Sequence, residues 1–126
     1  VKDLVIFLGK KEQDILQYYY ASAEMLVMPS HYESFGMVAL ESMACGTPVI
    51  ATQVGGLQHL VQDEETGFII PNGNPDALEE KITQLLCKQE MKMELGENSI
   101  RYAKSFSWDV ITKKLIESFD KTIASF

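Results

Sequence analysis

The sequence predicts an α/β protein in which a parallel sheet is covered by helices. Short apolar runs alternate with amphipathic stretches, a pattern typical of parallel strands connected by helices. The apolar runs are nearly continuous, as expected for strands that are buried on both faces. Turn and capping residues lie between the runs, where such elements should end. The 126 residues suffice for one hydrophobic core.

The apolar runs and the helical spacing give a predicted order of elements. Strands are predicted at Leu4–Leu8, Met25–Pro29, Pro48–Thr52 and Gly67–Ile70. Helices are predicted near Lys11–Ala21, Phe35–Cys45, Glu90–Ser105 and Trp108–Ile123, with one more after Asn74 and a short turn around Leu57–Val61. In the last helix an apolar stripe recurs at helical spacing and is interpreted mainly as core: Trp108, Ile111, Leu115, Phe119 and Ile123.

Composition and charge exclude several classes of function. Apolar residues make up 46% of the chain, and 11 basic against 18 acidic residues give a net charge of −7. This charge argues against binding nucleic acid or an anionic membrane by bulk electrostatics. Cys45 and Cys87 lack CxxC spacing and are interpreted as reduced, buried thiols. Because the chain starts on an apolar run without Met or a signal peptide, we expect a fragment of a cytoplasmic protein.

The stretch from Pro29 to Ala51 carries the candidate chemistry. A buried strand ends at Pro29, a loop brings Glu33 to the carboxyl edge of the sheet, and a helix begins at Phe35 or Gly36. Open α/β sheets bind ligands at that edge. The unpaired N–H groups of the helix start suit a diphosphate, and Gly36 allows a close approach to the backbone. An acidic protein can therefore hold an anion on its amides.

Two carboxylates bracket this helix start. Glu33 precedes it, and Glu41 lies about 8 Å further along the helix than Gly36. Carboxylates bind phosphate poorly but accept hydrogen bonds from sugar hydroxyls, so that one can hold a ribose and the other a hexose. The alternative is a pair of solvated carboxylates at a helix end.

The stretch PSHYESFGMVALESMACGTPVIA, with its Glu, seven residues and second Glu, resembles the signature of the group-1 (family 4) glycosyltransferases of GT-B fold. The resemblance continues in Phe7-Leu8-Gly9, Val54-Gly55-Gly56, residues 66–71 and 74–78, and Phe106-Ser107-Trp108, which together cover nearly the whole chain. It departs at His59, where the family usually has an acidic residue, which leaves the role of the Gly55-Gly56 loop open.

The resemblance implies a Rossmann-like C-terminal donor domain over residues 1–126, truncated on its N-terminal side. Glu33 would approach the transferred sugar as the catalytic residue, and Glu41 would bind the nucleotide ribose. The remaining substrate-binding residues would be Ser34, Phe35, Gly36, Met37 and Val38, through their amides on the diphosphate, and Lys10 and Lys11, in the loop beside the base.

The same resemblance implies a reaction. The parent enzyme would transfer a hexose from a nucleoside diphosphate to an acceptor hydroxyl with retention, without metal or cofactor; UDP is the favoured carrier, with GDP and ADP open. The partner would be an N-terminal acceptor domain of the same chain, through which a cytoplasmic enzyme could associate with a membrane. Without that domain the isolated chain is expected to be inactive. Unpaired strand edges also predict self-association, most simply as a twofold homodimer.

Two alternatives stay open. One is a module that binds a nucleotide sugar without catalysis, against which the presence of both Glu33 and Glu41 argues. The other is a phosphorylase or epimerase of the same fold, although no segment resembles the lysine site that a phosphorylase needs for its pyridoxal cofactor.

Overall fold

A computed structural model describes residues 2–125 and contains one sheet of three parallel strands. These are β1 (Leu26–Met28), β2 (Val49–Thr52) and β3 (Gly67–Ile70), with β2 in the centre. In the register, Val49 of β2 lies between Leu26 of β1 and Gly67 of β3. The predicted parallel α/β architecture is confirmed, as are three of the four predicted strands.

Helices surround this sheet close to their predicted positions. They are α1 (Gln13–Ser22), α2 (Met37–Ala44), α3 (Leu57–Leu60), α4 (Pro75–Cys87), α5 (Gln89–Ala103) and α6 (Trp108–Ala124). Two short 3-10 helices span Lys2–Leu4 and Lys104–Phe106. The predicted cap is present, because the side chain of Asn74 accepts a hydrogen bond from the N–H of Ala77 at 3.0 Å. Pro75 then occupies the first turn of α4, where its missing N–H costs nothing.

The core lies on both faces of the sheet. On one face, Ala39 and Met43 of α2 pack with Leu57 of α3 against Val49 and Ala51 of the central strand. On the other face, the buried side chains are Ile50, Phe68, Ile70, Leu85 and Leu95, contributed by β2, β3, α4 and α5. Because successive side chains of a strand point to opposite faces, β2 contributes to both clusters and is fully buried.

The predicted strand at Leu4–Leu8 is wrong. After the first 3-10 helix, residues 5–12 form an irregular segment whose apolar side chains face solvent, and Phe7 is 95% exposed. A strand needs a neighbouring ladder for its backbone N–H and C=O groups. No strand within residues 2–125 pairs with this segment, so its apolar character alone does not make it a strand.

The apolar stripe of α6 is helical as predicted, but its interpretation as core is wrong for the described part of the chain. Trp108 is 82% exposed, and no residue of α6 is buried. The helix contacts mainly the preceding 3-10 helix. Cys87 is likewise exposed rather than buried, whereas Cys45 is half-buried.

The contact between α2 and α5 depends on a glycine in the middle of a helix. Gly96 of α5 packs directly on the backbone of Gly46, and a Cβ at Gly96 would clash with the carbonyl oxygen of Gly46. Because that neighbour is backbone, it cannot rotate away. The sequence pattern gives no sign of this contact.

We expect Gly96→Ala to lower the free energy of unfolding by up to about 2 kcal/mol in denaturant titrations. Alanine would otherwise stabilise a helix interior by about 1 kcal/mol, but overpacking costs about 1–3 kcal/mol. Glu97→Ala, at the exposed neighbouring position, is the matched control and should stay within about 0.5 kcal/mol. An increase in stability for Gly96→Ala would contradict the close contact.

Candidate functional site

The loop of residues 29–36 connects β1 to α2 and carries the first candidate carboxylate. Two side-chain contacts fix its beginning. The buried hydroxyl of Thr52, at the end of β2, donates to the carbonyl oxygen of Ser30 at 2.5 Å. Nδ1 of His31 lies 2.8 Å from Oδ1 of Asn72, in the turn after β3. The loop is therefore attached to the carboxyl ends of the two neighbouring strands.

The Gly55-Gly56 turn fixes the middle of the same loop. The N–H of Gly56 donates to the carbonyl oxygen of Glu33 at 3.0 Å. Gly55 has a φ of 44°, and a Cβ there would clash with the same carbonyl oxygen. A Cβ at Gly56 would lie 2.5 Å from the carbonyl oxygen of Ser34. Backbone packs on backbone at this point, which gives the two glycines a role that the sequence left open. His59 is exposed on α3 and takes no part in the contact.

Gly36 caps α2 in the left-handed conformation, with a φ of 97°. A Cβ at this position would lie 2.7 Å from Cδ2 of Leu57. The predicted helix start is confirmed. The structure also shows a second reason for a glycine at position 36, in addition to the close approach of a ligand. Only glycine adopts this φ easily, and an added Cβ would displace the side chain of Leu57.

The helix start presents backbone N–H groups in the way the sequence predicts. Oε1 of Glu33 accepts from the N–H of Gly36 at 3.2 Å and from that of Phe35 at 3.4 Å. The first hydrogen bond into α2 runs from the N–H of Leu40 to the carbonyl of Gly36. Among residues 2–125, no group accepts a hydrogen bond from the N–H of Met37 or Val38. These two amides are therefore free to bind an anion.

Glu41 lies on α2 where predicted, and two side chains of α1 hold its carboxylate. Oε1 accepts from the side-chain amide of Gln13 at 2.7 Å. Oε2 accepts from the phenol of Tyr20 at 2.9 Å. Glu41 is half-buried between the two helices, whereas Glu33 lies at the start of α2. The two carboxylates thus have separate environments, one in the loop before α2 and one on the helix.

The contact with Glu41 changes the acidity of its neighbours. Burial, together with the hydrogen bond to Glu41 and its negative charge, raises the pKa of Tyr20 to about 12. Tyr20 therefore keeps its proton and remains a hydrogen-bond donor throughout the neutral range. Burial and the charge of Glu41 also raise the pKa of the Cys45 thiol, so that it stays protonated and is a poor nucleophile.

Two cavities flank this region. The first, of about 170 Å³, lies beside Glu41 between α1 and α2 and is lined by Gln13, Leu16, Gln17, Tyr20, Glu41, Ala44 and Cys45. The second, of about 240 Å³, lies at the carboxyl edge of the sheet and is lined mainly by Pro29, His31, Thr52, Ile70, Pro71 and Asn74. Both are smaller than the roughly 300–1,000 Å³ of drug-sized pockets.

The remaining predicted site residues, Lys10 and Lys11, lie near the contact between α1 and Glu41. Lys10 and Lys11 lie in the loop before α1, within three residues of Gln13, so that this loop is adjacent to the Glu41 contact. Of the three consecutive tyrosines on α1, Tyr18 and Tyr19 are exposed and Tyr20 is half-buried. Sequence reasoning missed Gln13 and Tyr20 as partners of Glu41. Their spacing of seven residues, two helical turns on one face, was the available signal.

The region thus combines free amides for an anion with two carboxylates that can accept from hydroxyl groups. Such a combination fits a ligand that carries both phosphate and sugar. No group of three His, Cys, Asp or Glu side chains within residues 2–125 is placed to hold a metal ion. In the same range, no helix is long and apolar enough to cross a membrane.

The parallel α/β fold is shared with a defined family of proteins. The sequence profile described as "Glycosyl transferases group 1" matches residues 1–102. The chain belongs to that family, and the family resemblance inferred from the Glu33–Glu41 stretch is confirmed.

Curated relatives support this membership. A glycosyltransferase of Methanocaldococcus jannaschii, named uncharacterized, is 45% identical over 102 residues, which are 81% of this chain and 29% of the relative. A D-inositol 3-phosphate glycosyltransferase of Thermomonospora curvata is 39% identical over 119 residues, 94% of this chain and 28% of the relative. The chain thus spans less than a third of the length of these relatives.

Solved structures show the same fold. Sucrose-phosphate synthase from Thermosynechococcus elongatus superposes with a TM-score of 0.88 at 39% identity, over 98% of this chain and 31% of that protein. The Anabaena protein HepE in complex with UDP superposes with a TM-score of 0.81 at 29% identity, over 99% of this chain and 33% of that protein. The predicted GT-B type of fold is confirmed by these neighbours.

The Gly55 contact generates a stability prediction. Gly55→Ala should lower the free energy of unfolding by about 1–3 kcal/mol more than Gly73→Ala does, because only Gly55 abuts the backbone of Glu33. Gly73 is the matched control, since its φ of 71° carries the left-handed penalty while no atom lies within 4 Å of an added Cβ. Denaturant titration of both variants measures the difference. Equal losses would show that the turn does not press on the Glu33 loop.

Proposed function

We propose that the parent enzyme transfers a hexose from a nucleoside diphosphate, in first place UDP, to an acceptor hydroxyl with retention of configuration. The observation that carries the proposal is the pair of carboxylates that bracket the start of α2, Glu33 in the loop before it and Glu41 on the helix, with the free amides of Met37 and Val38 between them. Crystal structures of HepE with UDP, and with UDP and glucose, support a donor of this kind at about 30% identity. The names of the similar proteins indicate different acceptors, so the proposal specifies the acceptor only as a hydroxyl group.

Glu41 is proposed to bind the ribose. Its two oxygens keep unused lone pairs after accepting from Gln13 and Tyr20, and these can accept from two neighbouring hydroxyls. The loop with Lys10 and Lys11, which leads into α1, is proposed to contact the base next to that ribose, mainly through its backbone.

The diphosphate is proposed to bind the amides from Ser34 to Val38. The partial positive charge of the α2 start compensates its charge locally, although the chain as a whole carries −7. The carboxylate of Glu33 shares two of these amides, those of Phe35 and Gly36. Because the carboxylate and the diphosphate are both anions, Glu33 must rotate away when the diphosphate takes these amides. The rotation would turn Glu33 toward the transferred hexose.

In the proposed reaction, the acceptor oxygen forms its bond to the anomeric carbon on the face from which the diphosphate leaves. The leaving phosphate oxygen takes the proton of the acceptor hydroxyl. The amides of the helix start stabilise the negative charge that develops on the phosphate, and Glu33 accepts hydrogen bonds from hexose hydroxyls. These groups make no use of a metal or a further cofactor.

The parent is proposed to supply an acceptor domain that this chain lacks. Positioning of the acceptor provides much of the rate, so residues 1–126 alone should transfer no sugar. The exposed apolar residues of segment 4–8 and of α6 are proposed to contact that domain or, in the isolated chain, a second copy. Incubation of the chain with labelled nucleotide sugars and acceptors checks the first point, and turnover would contradict it.

Substitution of the two carboxylates separates their roles. Glu41→Ala in the full-length parent should weaken UDP about tenfold to a hundredfold, because a hydrogen bond to a charged acceptor contributes about 1.5–3 kcal/mol. Glu33→Ala should leave UDP affinity unchanged or raise it, because it removes an anion that occupies the Phe35 and Gly36 amides. Calorimetric titration with UDP measures both.

The full-length parent provides the control for this experiment. Glu33→Ala should retain UDP binding while sugar transfer falls, which a module that only binds nucleotide sugars would not show because it has no transfer to lose. Equal weakening of UDP by both substitutions would mean that the two roles are wrongly assigned. Unchanged affinity in both would favour two solvated carboxylates with no role in binding.

A further inference from the structure

We propose that Tyr20 and Gln13 are positioning residues that orient the carboxylate of Glu41 toward the ribose of the bound nucleotide. The inference rests on the proposed function and adds two residues of α1 to the site on α2. Neither residue is among the site residues predicted from the sequence.

The geometry of the contact carries the inference. Each Glu41 oxygen accepts one hydrogen bond from α1, at 2.7 Å from Gln13 and 2.9 Å from Tyr20. Two bonds to different oxygens fix the torsion of the carboxylate, which a single bond would leave free to rotate. A carboxylate offers about four lone-pair positions, so two remain for the hydroxyls of a ribose.

Tyr20 is itself held at its backbone. Its carbonyl oxygen accepts from the buried hydroxyl of Thr47 at 2.6 Å and from the N–H of Ala23 at 3.0 Å. The carbonyl of Thr47 accepts in turn from the hydroxyl of Ser42, which is on α2 next to Glu41. The backbone of Tyr20 is therefore connected through Thr47 to α2, the helix that its phenol contacts. This connection makes the orientation of Glu41 a property of the fold rather than of one flexible side chain.

The neighbouring tyrosines provide a contrast on the same helix. Tyr18 is 67% exposed and Tyr19 is 40% exposed, and within residues 2–125 neither forms a side-chain hydrogen bond. Tyr20 alone among the three is half-buried and reaches a carboxylate. Tyr18→Phe is therefore a matched control for Tyr20→Phe, because both remove one phenolic oxygen from α1.

The experiment compares two ligands that differ only in the ribose hydroxyls. In the full-length parent, Tyr20→Phe should weaken UDP about five- to tenfold, as expected for one lost hydrogen bond, and leave the affinity for 2′,3′-dideoxy-UDP unchanged. Tyr18→Phe should change neither. In a Glu41→Ala background, Tyr20→Phe should have no further effect on UDP, since the group that it orients is gone. Gln13→Met, which keeps the side-chain length, should repeat the pattern at a more exposed position.

The outcomes separate the inference from the proposed function. If Glu41→Ala weakens UDP but Tyr20→Phe and Gln13→Met do not, the positioning role is wrong and the ribose site stands. If both variants weaken UDP and dideoxy-UDP equally, they act on the fold, and the inference is overturned. Tighter UDP binding by Tyr20→Phe would mean that the phenol withholds Glu41 from the ribose. If Glu41→Ala itself has no effect, the proposed ribose site and the inference fall together.

Discussion

The candidate site depends on one close contact between two stretches of backbone. The Gly55-Gly56 turn after β2 packs on residues 33–35, and the N–H of Gly56 donates to the carbonyl of Glu33. A Cβ at either glycine would clash with the backbone of residues 33–35, so that the two stretches can pack this closely only with glycine at both positions. The turn and Thr52 fix the loop from the β2 side, while Asn72 fixes it from the β3 side. The position of Glu33 therefore depends on the segments that follow β2 and β3, and not on the sequence of its own loop alone.

The contact also bears on the proposed binding of an anion by an acidic chain. With a net charge of −7, no long-range attraction is available. The binding energy must come from groups whose direction is already fixed, because amides that need not reorganise bind charge most strongly. Gly36, in its left-handed conformation, begins α2 and lies close to the side chain of Leu57. The start of α2 thus provides a local partial positive charge, although the chain as a whole is negatively charged.

Most of the fold was predictable because its signals are local, and the errors arose where structure depends on distant partners. The apolar runs at β1, β2 and β3 and the cap at Asn74 are encoded within a few residues. The run at Leu4–Leu8 has the same composition, yet it has no neighbouring strand and is not one. Within the site, Glu33 and Glu41 were predicted from their positions around the helix start and from the family resemblance of the surrounding stretch. Their hydrogen-bond partners, Tyr20 above all, join elements that are far apart in sequence.

Helix α2 links these features, because it carries both the anion-binding amides and Glu41 at a fixed separation. Its packing against α5 requires the backbone approach between Gly46 and Gly96, and its packing against α1 includes the bonds to Glu41. A shift of α2 relative to α1 would alter the carboxylate, whereas a shift relative to the Gly55-Gly56 turn would alter the amides. In the proposed complex, the diphosphate and the ribose would therefore interact with one helix whose position is determined from two sides. Binding of either half of the nucleotide would then depend on the same position of α2.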